Sequence, residues 1–124
     1  MSVTLGPINE RTTAKYTSDP LLDETGAVVA GSTISTATLT LYDQRTKTIL
    51  NSRNEQNVNQ TNGVAISEAG VVTWDLVAAD NAIVDDTVPT EIHVAVFDLR
   101  WDAGASRCLH EFKIAVTNIG MVTS

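Results

Sequence analysis

Apolar and polar residues alternate with period two along most of this chain, in short runs closed by Gly, Asn, Asp or Pro. That is the signature of half-buried β-strands joined by turns. The clearest case lies late in the sequence, where residues 91–101 and 108–116 alternate on either side of Asp102-Ala103-Gly104-Ala105. They predict a long β-hairpin in which Trp101 pairs with Ser106, Leu99 with Cys108, Phe97 with His110 and His93 with Ile114. Residues 34–42 predict another strand, with Ala37, Leu39 and Leu41 on one face and Thr36, Thr38, Thr40 and Tyr42 on the other.

Weaker runs fill in the rest. Residues 12–16 read as a first strand, and Asp23-Glu24-Thr25-Gly26 as a turn between Leu21-Leu22 and Val28-Val29. A turn over residues 43–47 leads into residues 48–51. Residues 52–63, polar and rich in Asn and Gln, are expected to form the longest loop and to stay out of the core. Asn62-Gly63 turns the chain into residues 64–66, and Glu68-Ala69-Gly70 turns it into residues 71–76. Residues 77–86 suit a short helical turn, because Asp80 and Asn81 can cap and Ala78, Ala79 and Ala82 favour helix.

These elements predict an all-β fold, an immunoglobulin-like antiparallel β-sandwich of about seven or eight strands, with Trp74 as its central ring. Residues 12–117 form the sandwich, residues 1–11 an N-terminal arm that Gly6-Pro7 keeps out of a regular ladder, and residues 118–124 a C-terminal tail. Both ends are short, moderately apolar and nearly uncharged, like segments that add strands to neighbouring subunits. Removing residues 1–9 is expected to leave the sandwich folded.

Length and composition sharpen this picture. A chain of 124 residues is one ordinary domain, able to bury about two-thirds of its unfolded surface. Only 5% of its residues are aromatic, so Val, Ile, Leu and Ala must carry the core. The net charge of −7 lacks the clustered basic surface that nucleic acid requires. Cys108 is a single cysteine, which rules out an intrachain disulfide and a thiolate metal cluster. The first residues have no basic or apolar signal region and no stretch is long enough for a membrane helix, so cytoplasmic synthesis and folding are expected. Asn59-Gln60-Thr61 matches a glycosylation acceptor and is read as unmodified on the same ground.

Little in the sequence suggests catalysis. In the predicted hairpin His93 and His110 lie four ladder positions apart, about 13 Å at about 3.4 Å per residue, too far to share a zinc ion. Cys108 and His110 project to one face, yet nothing nearby would lower the thiol pKa. Asp75, Asp80, Asp85 and Asp86 fall near one end of the sandwich without the spacing of a calcium loop. The chain is therefore read as non-enzymatic, with no catalytic residue, cofactor or metal. Trp101, between Arg100 and Arg107 at the hairpin end, has the residue types enriched in binding hot spots, and Val3, Leu5 and Ile8 are the apolar contacts of the arm.

Leu22-Asp23-Glu24-Thr25-Gly26, Ala37-Thr38-Leu39-Thr40-Leu41-Tyr42-Asp43, Gly70-Val71-Val72-Thr73-Trp74-Asp75-Leu76 and the closing hairpin together cover most of the chain. In this layout the chain resembles the small immunoglobulin-like sandwiches of tailed-phage virions, such as the amino-terminal domain of the baseplate upper protein family and short head, neck and tail proteins. It departs from the baseplate family in having no downstream coiled coil or receptor-binding module. The resemblance implies a non-catalytic virion protein, folded in the host cytoplasm and held at the neck, tail or baseplate or on the capsid surface. Its partners would be other virion structural proteins and further copies of itself, with no nucleic acid and no membrane. The alternative reading is a carbohydrate- or surface-binding module, with Trp101 and residues 52–63 as its contact surface.

Overall fold

The alternating runs become strands in the computed structural model, which describes residues 3–85, 87–102 and 105–119. In chain order these are β1 (Val3–Asn9), β2 (Ala14–Thr17), β3 (Ile34–Asp43), β4 (Gln56–Asn57), β5 (Val64–Ile66), β6 (Val72–Leu76), β7 (Thr90–Trp101) and β8 (Ser106–Thr117). One sheet has the order β1-β8-β7-β3-β4 and the other β2-β6-β5. The fold is an all-β sandwich. All pairings are antiparallel apart from β1 with β8, which is parallel. No helix of the described residues is long and apolar enough to cross a membrane.

Side-chain alternation decides what lies between the sheets. Ala37, Leu39 and Leu41 of β3, Ala95, Phe97 and Leu99 of β7, and Phe112, Ile114 and Val116 of β8 are buried on the large sheet. Tyr16, Val64, Ile66, Val72, Trp74 and Leu76 face them from the small one. Trp74 meets Phe97 and Phe112 edge-on, with ring centroids 5.8 and 6.0 Å apart, the arrangement that aromatic quadrupoles favour. The hairpin register is the one the sequence predicts at Trp101/Ser106, Leu99/Cys108, Phe97/His110 and His93/Ile114.

Two segments differ from expectation. Residues 3–9 of the predicted arm form β1, aligned with β8 from Val3 opposite Phe112 to Asn9 opposite Thr117. Gly6 and Pro7 disturb the ladder without ending it, since the register shifts between Leu5 and Ile8 and pairing then resumes. Gly6 has φ of +104° and a Cβ there would lie 2.7 Å from the Ala115 carbonyl oxygen, so only glycine fits. Leu5 and Ile8 pack on the core. Removing residues 1–9 would therefore strip a strand from β8 and expose apolar surface.

The second difference is the polar segment 52–63, which carries two core residues. Val58 is fully buried, and Arg53 is 4% exposed. The Arg53 guanidinium donates from Nε to Asp80 Oδ1 (2.6 Å) and from Nη2 to Asp80 Oδ2 (3.2 Å). Its Nη1 donates to Gln56 Oε1 (2.8 Å) and to the Asn62 carbonyl (3.3 Å), and its flat face lies 5.4 Å from the Trp74 ring centroid. Asp80, fully buried, also accepts from Asn51 Nδ2 and from the Val77 backbone N–H at the start of the short 3-10 turn Ala78–Asn81. A polar loop thus reaches the core because one planar cation is satisfied on several sides.

Removing one partner of a buried, hydrogen-bonded ion pair costs far more than removing both. Asp80→Ala should lower unfolding stability by about 3–5 kcal/mol, whereas Arg53→Met combined with Asp80→Ala should lose clearly less than the sum of the two single changes. Urea unfolding of the three variants measures this coupling, and additive losses would refute it.

Candidate functional site

A groove on the molecule follows from unequal strand coverage. β8 pairs with β7 along its whole length, but β1 covers its other edge only from Phe112 to Thr117. Among the described residues, the backbone of residues 106–111 has no second partner strand. Alternation turns Arg107, Leu109 and Glu111 outward, while Ser106, Cys108 and His110 turn toward the space between the sheets. Cys108 and His110 are only half-buried there.

A groove of about 490 Å³ runs along this edge, with Tyr16 of β2, Leu21, Val72, Phe97, Cys108 and His110 among its lining residues. The Tyr16 ring stacks on Phe112 at 3.9 Å between centroids, and its hydroxyl is hydrogen-bonded to His110 Nε2. Past Cys108 the groove continues into a second hollow edged by Leu22, Asp23, Glu24, Trp101 and Arg107. Leu22 and Val28 form a bridge across the turn at residues 23–27 and are 52% and 49% exposed, and Leu109 on the strand itself is 57% exposed. The Asp23 carboxylate holds that turn by accepting from the Thr25 and Ala27 backbone N–H groups.

The groove is lined mainly by apolar side chains, with the Asp19 carboxylate in its wall. Burial pushes the Cys108 thiol up, and burial followed by the nearby Asp19 carboxylate pushes the Tyr16 phenol up. His110 is held below its ordinary value by burial, against a smaller opposing pull from Asp19. At neutral pH Cys108, Tyr16 and His110 are thus a thiol, a phenol and a neutral imidazole. This is the reverse of the activation a nucleophilic cysteine needs.

The other candidate residues separate. Trp101 is 7% exposed and packs in the core in phase with Leu99, so the expected exposed hot spot is a buried ring. Arg100 and Arg107 pair across the hairpin on the opposite face, where both hold Asp98 in ion pairs of 3.1 and 3.0 Å. Those hydrogen bonds, Arg107 first and then Arg100, keep the Asp98 carboxyl below the usual carboxylate range. Val3, Leu5 and Ile8 lie in β1. The acidic set disperses as well. Asp75 faces Lys15 at the surface, Asp80 belongs to Arg53, and Asp85 is held down to about 2 by Thr87 and Arg45. Asp86 lies outside the described residues.

Two polar constellations have no counterpart in the sequence reading. Arg53 with Asp80 is one, and no periodic signal marks it. Asp43, Glu91 and His93 are the other, three buried groups at one end of the large sheet. Their phase was readable, since Asp43 continues the buried face of Leu39 and Leu41, and Glu91 and His93 continue that of Ala95 and Phe97.

No family model and no curated protein matches the chain. Among solved structures, a family 123 glycoside hydrolase from Clostridium perfringens is similar at a TM-score of 0.30 and 11% identity. The match covers 86% of this chain and 18% of the hydrolase, so the chain spans less than a fifth of that protein's length. A likeness at that score carries no argument about fold or function.

The lowered His110 pKa gives the stability of the fold a sign with pH. The unfolded chain takes up a proton near the ordinary value of 6.5, whereas the native imidazole resists it to lower pH. Stability should then fall as pH drops through about 6.5, with the loss complete below the native pKa. Urea melts between about pH 8 and 5 should show this slope, and His110→Gln should remove that part of it. An NMR titration placing the His110 imidazole above 6.5 would reverse the sign.

Proposed function

We propose that the protein is a non-catalytic assembly subunit that binds other protein chains along the open half of β8. The observation that carries this reading is the unpaired strand edge of residues 106–111 beside a largely apolar groove. An extended segment laid there would gain main-chain hydrogen bonds from the edge and bury apolar side chains in the groove, which is how β-strand addition combines affinity with selectivity. The resemblance to tailed-phage sandwiches implies the setting: a virion structural protein at the neck, tail or baseplate or on the capsid. In such a particle, symmetry multiplies individually weak contacts.

We read the topology as immunoglobulin-like. β2-β6-β5 occupies the place of strands B-E-D, and β8-β7-β3-β4 that of G-F-C-C′ in variable-type domains. β1 would then be an added edge strand on G. The carbohydrate-binding alternative loses its principal platform, because Trp101 is buried.

Leu22 and Leu109 are both more than half exposed, so Leu22→Asp with Leu109→Lys should change stability by no more than about 1 kcal/mol. The same double variant should be lost from assembled particles. Quantitative mass spectrometry of purified virions, with wild type as reference, measures this. A wild-type chain missing from the particle, or a variant retained at full occupancy, would sink the proposal.

A further inference from the structure

The end of the large sheet where β3 finishes and β7 begins breaks the apolar rule of the core. Asp43 lies directly across the ladder from His93, and Glu91 precedes His93 by two residues on the same face. Asp43, Glu91 and His93 are 2%, 4% and 0% exposed. One donor atom from each lies within 4.8 Å of the other two. His93 Nε2 is hydrogen-bonded to Glu91 Oε1 at 2.8 Å, while its Nδ1 is buried with no partner.

Both carboxylates are fixed by backbone. Glu91 Oε1 accepts from the Val84 N–H (2.9 Å) and Oε2 from the Asp85 N–H (2.5 Å). Asp43 Oδ2 accepts from the Thr46 N–H and hydroxyl, each at 2.8 Å. The three groups therefore cannot swing out to water without disturbing two loops. Apart from His93, no cationic side chain pairs with either carboxylate among the described residues, which leaves a place for a counter-ion.

A divalent ion would fill it. Donors around an ion with bonds of about 2.0–2.2 Å sit roughly 3–3.5 Å apart, so the cluster closes on an ion through shifts of about an ångström. An adjoining cleft of about 230 Å³, with Asp43, Gln44, Thr90 and Glu91 in its wall, leaves room for water to complete the coordination. Imidazole with two carboxylates suits a first-row transition ion better than calcium or magnesium, whose ligands are oxygens.

We propose that Asp43, Glu91 and His93 form a binding site for one divalent transition ion of the zinc and manganese class. Bound there, the ion ties the start of β7 to the turn after β3 and to the segment at residues 84–85. It lies at the opposite end of the hairpin from the open half of β8 and stands independently of the assembly reading.

The test uses the full chain stripped with EDTA and titrated calorimetrically with zinc, manganese or calcium chloride. Zinc should bind with one equivalent per chain and raise the thermal midpoint by several degrees, and calcium should bind at least tenfold more weakly. Asp43→Asn, which can still accept from Thr46, should weaken zinc binding at least tenfold. Should that variant fail to fold, ring-nitrogen NMR of wild type decides, because zinc should shift the His93 resonances and leave those of His110 in place. Absence of stoichiometric binding, calcium binding as tight as zinc, or a zinc response at His110 in place of His93 would overturn the proposal.

Discussion

The two sheets are unequal, and most of the structure follows from that mismatch. β7 and β8 run for 12 residues each, whereas β2, β5 and β6 have four, three and five. At about 3.3 Å per residue the hairpin is about 40 Å long and the facing strands less than half of that. A strand cannot leave its inner face bare, so everything beyond the reach of the small sheet has to be covered some other way. Part of the cover is irregular chain, with Val29, Leu50 and Val58 entering the same core as the strands. Such chain brings unpaired polar groups with it, and Arg53 with Asp80 satisfies many of them at one point.

Alternation within long strands was legible from the sequence because period two is a direct consequence of the pleat. It placed Ala37, Leu39, Leu41 and Trp74 in the core and set the β7–β8 register. Arg53 and Val58 were not legible, because residues buried by irregular backbone have no period to betray them. The first strand was obscured by Gly6-Pro7, which interrupts a ladder that resumes at Ile8. Trp101 and the Asp43, Glu91 and His93 set are different. Their phase was present in the sequence, but for Trp101 neighbouring charge and position at a hairpin end suggested exposure, and the other three were not read together as a set.

Polar chemistry is divided between the halves of the hairpin. At the start of β7 charged groups are buried and tightly held, while along the first half of β8 the groups facing the groove are neutral and half-open to solvent. This division fits the proposal that the strand edge takes up another chain. A partner laid on the groove would desolvate Cys108, Tyr16 and His110 at little electrostatic cost, whereas Asp19 in the groove wall would have to be paired or left facing water.

An unpaired strand edge is also a hazard, since any extended chain can add to it. Here the open stretch is only residues 106–111, and outward Arg107 and Glu111 flank Leu109 on it. A partner that pairs promiscuously would have to place its own side chains between opposite charges two positions either side of one exposed leucine. Arg107 is further committed to Asp98, which fixes where that positive charge stands. A short edge bracketed by charge discourages stacking of unrelated strands, and the groove beside it rewards a segment carrying apolar residues at alternate positions. On the proposed reading, selectivity at this edge would come from the same overhang that created it, because shorter β7 and β8 would leave neither an uncovered strand nor a groove to read the occupant.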